Sequence, residues 1–458
     1  MALDVIILAA GLGTRMKSST IKILHEAGGR PIVDYVLDLA AALSAATPVL
    51  VIGHQREAVK AHCGTRARYA VQEEQLGTGH AVMMGAAVLT AQGHAAPDVL
   101  VLSGDVPLTR EDTLWELIDE HRRSGNSATI LSMRLEEPAM YGRIIRDGSG
   151  QVLRIVEARD ASAEEAGIHE VNGGIYVFST EALLEALASL SSENAQGEYY
   201  LTDVIEIFRK GGGAVGAVIA RDPVETLGVN SRSDLAMVEQ ELQQRKIQSL
   251  MEAGVTFRNP EATLVDTTVE IGRDTVVYPF VTLEGSTNIG ERCVIEPGVH
   301  LRDVTVGNGV VIKTGTVAED SVIEAGASVG PCAHLRPGTH LGPDVKIGNF
   351  VETKKATFQS GAKASHLSYI GDAEIGSNVN IGAGTITCNY DGVRKNKTTI
   401  EDGAFIGSDT QLIAPVTIGR GAYVGAGSTI TKDVPAGSLA LSRVPQKIIK
   451  DWAPRQKK

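Results

Sequence analysis

The sequence predicts a two-part chain of mixed α/β class: an open, mostly parallel sheet with helices on both faces, one long connecting helix, and a parallel β-solenoid. Three observations carry that expectation. Continuous apolar runs alternate with helical patterns over residues 1 to 230, a stretch without glycine or proline follows from Ser231 to Ala253, and beyond Gly254 an aliphatic residue recurs at six-residue steps.

In chain order, Val5-Ile-Ile-Leu8, Val49-Leu-Val-Ile52 and Val99-Leu-Val-Leu102 are continuous rather than alternating, as strands covered on both faces should be. Helix-like stretches lie between them, at Val33 to Ala42, Gly79 to Leu89 and Leu114 to Arg123, giving the rhythm of an open α/β sheet. In the connecting segment Leu235, Val238, Leu242 and Leu250 fall near one helical face. Ile271-Gly272 then recurs as Ile289-Gly290, with Val277, Leu283, Ile295 and Leu301 at the intermediate steps, and the pattern runs on through Ile347-Gly348, Ile381-Gly382, Ile406-Gly407 and Val424-Gly425. One inward aliphatic per hexad makes one flat side, so eighteen residues make one coil of a triangular prism. An antiparallel sheet would instead alternate at every second residue and carry more aromatics than the 4% present. The expected divisions are residues 1–232, a linker helix over 233–253, and 254–458.

The 458 residues are 43% hydrophobic, enough to bury two cores and to exclude a disordered chain. A net charge of -12 without a long Lys/Arg cluster leaves no footprint for nucleic acid or an anionic membrane surface, so anionic ligands must be held by local sites. Cys63, Cys293, Cys332 and Cys388 are far apart and form no CxxC, which supports neither a disulfide framework nor a zinc knuckle. With no signal-peptide pattern and no apolar span of roughly 18 residues, a cytoplasmic protein is expected.

Leu8-Ala-Ala-Gly-Leu-Gly-Thr-Arg-Met16 follows the first predicted strand. It lacks the third glycine of a dinucleotide fingerprint and the Gly-Lys-Ser/Thr of a Walker loop. Gly11 and Gly13 let backbone amides approach a phosphate, while Arg15 and Lys22 add a forked and a point-like cation. Ser103-Gly-Asp105 ends the Val99–Leu102 run, where open α/β sheets gather ligands. Alone, Asp105 reads equally as a turn aspartate.

These motifs, with Gln72, Gln75-Leu-Gly-Thr-Gly-His80, Tyr141-Gly-Arg143, Glu157, Asn172-Gly-Gly-Ile175 and Gly228-Val-Asn230, resemble the Rossmann-like sugar-1-phosphate nucleotidyltransferases. The hexads match the left-handed β-helix family. Together they resemble, nearly end to end, the bifunctional N-acetylglucosamine-1-phosphate uridyltransferase/glucosamine-1-phosphate acetyltransferases. The resemblance implies that Leu8, Gly11, Gly13, Gln72, Gly77, Thr78 and Ser103 hold UTP, with Gln72 and Thr78 on the base. It further implies that Gly142, Glu157 and Asn172 hold the N-acetylglucosamine moiety of its 1-phosphate, that Asp105 and Asn230 coordinate Mg²⁺, and that Arg15 and Lys22 face the growing negative charge. Three positions depart from the family pattern: Ile21 for proline, Arg159 for lysine and Gly173 for threonine. They leave open how Lys22 is presented and which side chains touch phosphate and sugar.

In the solenoid, function should sit where hexads are interrupted, chiefly at Gly382 to Lys397, which read without the family is a solvated insertion or a ligand loop. His366 likewise reads as surface bystander or as a proton acceptor near neutral pH. The resemblance implies that His366 is the general base for glucosamine-1-phosphate, tuned by Glu352. Arg336, Lys354, Tyr369, Asn380 and Lys395 then bind that sugar phosphate. Ala383, Asn389, Tyr390, Ser408, Ala426 and Arg443 bind acetyl-CoA, with Ser408 polarising the thioester carbonyl. It also implies a homotrimer. Cys388 has no base paired with it in sequence and reads as structural. The rival readings are a single-activity nucleotidyltransferase with an oligomerising solenoid, and a non-catalytic scaffold, which would leave the first half unexplained.

Overall fold

The computed structural model describes residues 2–91, 95–194 and 196–452. The chain divides into two compact units, Met1–Leu242 and Gln243–Lys458.

The first unit is built on a nine-stranded sheet. Its strands are β1 (Leu3–Leu8), β2 (Val49–Ile52), β3 (Arg68–Val71), β4 (Asp98–Ser103), β5 (Ala128–Arg134), β6 (Arg143–Arg146), β7 (Val152–Val156), β8 (Glu170–Ser179) and β9 (Val215–Ile219). The order is β9-β5-β8-β4-β1-β2-β3, with β6 beside β8 and β7 beside β6. The sheet is mostly parallel, as the apolar runs predict; β8 is the strand of the main path that runs against both its neighbours, β4 and β5.

Continuity of the apolar runs has a direct cause. Ile7, Leu50, Leu100 and Leu102 face one core with Val33 and Leu37 of helix α1 (Ile32–Leu43), while Ile6, Val49, Val51, Val99 and Val101 face the other with Val82 and Ala86 of helix α2 (Thr78–Thr90). Successive residues of each central strand are therefore buried on opposite faces.

The second unit is a stack of parallel coils. Three ladders of strands define three sides: one runs through Val276, Val294, Val311, Ser328, Lys346 and Lys363, another through Thr282, His300 and Val317, and the third through Asn288, Thr305 and Val322. The aliphatic of each hexad, such as Val277, Ile295, Ile312, Val329 and Ile347, is buried in a single core.

Coil length corrects the sequence reading. Val276 pairs with Val294 at the expected eighteen residues, but Val294 pairs with Val311, Val311 with Ser328, Lys346 with Lys363 and Lys363 with Asn380, a step of seventeen. Every one of these shorter coils contains a seven-residue strand that continues through a corner: His300–Val306, Val317–Ile323, Glu352–Phe358 or Tyr369–Ile375. The corner is turned by one residue with positive φ, respectively Asp303, Asp320, Lys355 and Asp372. A single left-handed residue replaces a longer turn and removes one position from the coil.

The connecting helix spans Arg232–Glu252, and the division between units falls inside it. Its Val238 and Leu242 belong to a core of the first unit, while Ile247 and Leu250 pack with Val255 and Phe257 in the solenoid core. Among the described residues no helix is long and apolar enough to cross a membrane.

Candidate active sites

At the carboxyl ends of β1 and β4, Gly104 N–H donates to Leu8 O (2.8 Å), bringing the two predicted motifs side by side. A cleft of about 360 Å³ opens there, lined by Leu8, Gly11, Lys22, Gln72, Gly77, Thr78, Ser103 and Asp105 among the residues singled out from sequence, and also by Gln75 and Glu198. The Lys22 ammonium forms an ion pair with Asp105 and donates to Asn230 Oδ1 (3.3 Å). Asn230 is fixed from behind, because Asp234 Oδ2 accepts its N–H (2.9 Å) and that of Ser231 (2.8 Å), while Val229 N–H donates to Asp105 O (2.9 Å).

Gly13 is left-handed (φ 59°), and a Cβ there would stand 2.8 Å from Lys22 Cβ, so the loop and the lysine are in contact. Ile21 is buried with φ -61°, the value a proline would impose, so this departure leaves the approach to Lys22 intact. Arg15 is exposed on the same loop.

The predicted sugar residues form a second cluster. Asn172 N–H donates to Gly142 O (2.8 Å), and Glu157 Oε1 accepts from Thr202 Oγ1 (3.1 Å). A Cβ at Gly142 would lie 3.6 Å from Glu157 Oε2. Burial raises the pKa of Glu157, with the Thr202 hydrogen bond opposing. Burial also raises that of Tyr141, helped by the negative charges of Asp234 and Asp105, so Tyr141-Gly142 ties this cluster to the Lys22–Asp105–Asn230 group. The Asn172 side chain is engaged with Tyr176 OH (2.6 Å) and Gly174 N–H (3.0 Å). Arg143 is buried and caps backbone carbonyls of its own segment, including Ala139 O (3.1 Å).

On the solenoid, His366 Nδ1 lies 2.8 Å from Asn349 Oδ1. An amide oxygen only accepts, so Nδ1 carries the hydrogen and the Nε2 lone pair is left free. Asn349 is thus the residue bonded to the ring, and Glu352 Oε1 accepts from Arg336 Nη1 (2.7 Å). Lys354 follows Arg336 one coil on, since His334 and Leu335 pair with Glu352 and Thr353. Its pKa is lowered by Lys395 first and Arg336 second, which brings three cations to one place. Tyr369 pairs with Glu352, and its ring turns over Gly371, where a Cβ would sit 2.4 Å from the hydroxyl.

Register gathers the remaining residues. Asn349 pairs with His366, three positions beyond the paired Lys346 and Lys363. The ladder continues through Asn380, Phe405 and Tyr423, so Ala383, Ser408 and Ala426 occupy the equivalent corner on the next coils. Arg443 reaches back to Ala426 O (3.0 Å). The excursion 382–397 is held by Asp391 Oδ1, which accepts from Val393 N–H (2.8 Å) and Arg394 N–H (2.6 Å), and it presents an exposed Tyr390. Asn389 is turned inward, donating to Asp372 Oδ2 (2.6 Å).

Sequence reasoning gave no separate role to Gln75, whose Nε2 donates to Ala10 O (2.8 Å) and braces the glycine loop, nor to Asp234 or Asn349. The seventeen-residue step is the signal that finds Asn349; an eighteen-residue coil points from His366 to Gly348 instead.

Residues 4–223 match the family model described as nucleotidyl transferase. Residues 397–432 match bacterial transferase hexapeptide (six repeats), and residues 281–314 match the hexapeptide repeat of succinyl-transferase. The chain is 49% identical to the bifunctional protein GlmU of Pelobacter propionicus, over 99% of this chain and 98% of that protein. It is 50% identical to that of Trichlorobacter lovleyi, over 96% of each, and 50% identical to that of a Geobacillus species, over 96% of this chain and 95% of the relative.

Proposed function

The chain belongs to the family of bifunctional GlmU proteins, and from that premise we propose how its own residues perform the two transfers. It is a bifunctional enzyme of UDP-N-acetylglucosamine synthesis: glucosamine-1-phosphate is N-acetylated, and N-acetylglucosamine-1-phosphate then receives a uridylyl group from UTP with release of pyrophosphate. The working halves are residues 1–232 and 254–458, joined by the helix over 233–253.

In the first half, the observation that carries the reading is the meeting of Lys22, Asp105 and Asn230 beside the cleft lined by Gly11, Gln72, Gly77 and Thr78. A sugar-phosphate oxygen attacks the α-phosphorus of UTP, and the bond to pyrophosphate breaks. The chain needs no covalent nucleophile; it holds the reactants in line and offsets charge. Lys22 and Arg15 face the phosphates, Gln72 and Thr78 meet the base, and Gly142, Glu157 and Asn172 hold the sugar. The Asp105 carboxylate and Asn230 amide oxygen are hard donors, and among the described residues no group of three His, Cys, Asp or Glu surrounds them. That sparse donor set suits Mg²⁺, which keeps water and phosphate ligands and, when bound, neutralises phosphate charge.

In the second half, His366 Nε2 takes a proton from the sugar amine as its nitrogen attacks the thioester carbonyl of acetyl-CoA. The carbon–sulfur bond breaks and CoA leaves as the thiol after protonation. Asn349 holds the imidazole tautomer, and Arg336, Lys354 and Lys395 bind the phosphate with Tyr369 and Asn380 nearby. The corner column Ala383, Ser408, Ala426 that continues from His366 is the track for acetyl-CoA, with Asn389, Tyr390 and Arg443 at its margins and Ser408 toward the carbonyl oxygen. Exposed Tyr390, Phe405 and Tyr423 support completion of this site by other copies in a homotrimer. We place the enzyme in the cytoplasm.

The test is a coupled assay with glucosamine-1-phosphate, acetyl-CoA, UTP and Mg²⁺, following free CoA, pyrophosphate and UDP-N-acetylglucosamine. Asp105→Ala should stop pyrophosphate release and spare CoA release; His366→Ala should do the reverse when each half-reaction is supplied with its own substrate. Retention of either targeted half-reaction refutes the corresponding assignment.

A further inference from the structure

We infer that His80, as the second acceptor beside Gly77 O, reinforces the base specificity of uridylyl transfer by holding the Gln72 amide with its oxygen toward the base, so that uracil is accepted and cytosine refused. The inference rests on the reading that Gln72 meets the base, and it assigns His80 as a positioning residue acting through Gln72.

Gln72 follows β3, where its N–H donates to Ile52 O (2.8 Å), and its side chain is buried to 4% exposure. Nε2 lies 3.0 Å from Gly77 O and 3.1 Å from His80 Nδ1. Because a backbone carbonyl can only accept, the nitrogen end of the amide must face Gly77. Both Nε2 hydrogens are then used if His80 Nδ1 is the acceptor, which places the imidazole hydrogen on Nε2.

This bonding leaves Gln72 Oε1 without a partner among the described residues, and Gln72 lines the cleft. The neighbouring Gly77 N–H donates to no described group either. An unused acceptor and an unused donor therefore belong to two residues that line the same cleft. Uracil offers the complement, an N3–H beside the C4 carbonyl. Cytosine offers the reverse, a bare N3 beside an amino group, and meets like against like at both points. If the Gln72 amide turned over, two donors would face the base and two oxygens would oppose each other at Gly77.

His80 is well held for this purpose. It lies in the first turn of α2, its ring is tilted 40° against Tyr199 at 6.4 Å, and Tyr199 O accepts from Gly79 N–H (2.8 Å). Gly77 can serve only as glycine, since its φ is 102° and a Cβ would lie 2.6 Å from Tyr199 O.

The experiment compares kcat/KM for UTP and CTP with N-acetylglucosamine-1-phosphate and Mg²⁺, in the full-length enzyme. His80→Phe keeps a ring against Tyr199 but removes the acceptor, and His80→Leu is the second variant without one. Each should lower the UTP:CTP preference by about tenfold or more, the scale of one directed hydrogen bond in a protected site. His80→Asn, whose Oδ1 can take the place of Nδ1, should restore the preference to within about threefold. Gln72→Ala separates the two levels. If that variant keeps the full preference for UTP, Gln72 does not read the base and both readings fall. If it loses the preference while His80→Phe and His80→Leu keep it, the inference about His80 alone is overturned. A uniform loss of turnover with both nucleotides, at unchanged preference, overturns it as well.

Discussion

Substituting Gly13 by alanine tests whether the glycine loop sets the position of Lys22. Two effects follow from the structure. The left-handed φ of 59° is disfavoured by about 1–2 kcal/mol once a Cβ is present. The added carbon would also stand 2.8 Å from Lys22 Cβ, so loop and lysine must separate by about 0.6 Å to reach ordinary contact. The Lys22 ammonium is held by Asp105 and Asn230, so a shift of its Cβ is passed on to those contacts. Misplacement on the order of 1 Å at a reacting centre costs up to about a hundredfold, so uridylyl transfer should fall roughly 10- to 100-fold in kcat/KM for UTP. Acetyl transfer by the same preparation should not change. Gly13→Asn separates the causes: asparagine tolerates the left-handed region but keeps the colliding carbon, and should be as impaired as alanine. Recovery of activity by asparagine would assign the effect to backbone strain, and more than half of normal uridylyl transfer in Gly13→Ala would refute the coupling altogether.

Three other outcomes are expected. Burial raises the Glu157 pKa, so folding favours the protonated acid: that stability is complete below the ordinary value of about 4.3 and is lost as pH rises through the folded value. Glu157→Gln should accordingly melt higher than the parent at pH 8 and level with it near pH 4, and a pH-independent difference would contradict the burial argument. Burial pushes the Cys63 thiol up to about 11 and raises those of Cys293 and Cys388, while Cys332 is exposed; alkylation at pH 8 followed by mass spectrometry should mark Cys332 first, and early labelling of Cys63 would be the opposing result. Phe358 is 1% exposed in the solenoid core, and Phe358→Ala should destabilise it by about 3–5 kcal/mol, lowering the temperature at which acetyl transfer is lost by on the order of 10 °C; an unchanged inactivation temperature would show that the coil repacks.

What the sequence reveals differs between elements for physical reasons. Ile6 and Ile7 are both apolar because each face of β1 has its own core, and so parallel strands are readable as continuous runs. The direction of β8 is not readable, since burial on both faces says nothing of which way a strand runs; its partners Val101 and Leu131 decide that. The hexad reveals the prism, but not the shorter coils, because the lost residue belongs to corners turned by Asp303, Asp320, Lys355 and Asp372 rather than to the aliphatic positions. That one-residue difference hides the Asn349–His366 pair, while the Glu352 carboxylate accepts from Arg336.

The departures at Ile21, Arg159 and Gly173 differ in their physical consequences. Ile21 is buried and its φ of -61° lies in the range that proline would impose, so the segment before Lys22 is compatible with either residue. Arg159 keeps the charge and donates to Gln196 Oε1 (2.8 Å). Gly173 differs in kind: it lies where the β8–β5 register shifts, between Asn172 and Ile175, and a Cβ there would meet Leu131 O at 2.7 Å and Thr226 Cγ2 at 3.1 Å. A threonine would be driven against β5, with the space already held by Thr226. In this chain the bulge is therefore closed by backbone and by Thr226.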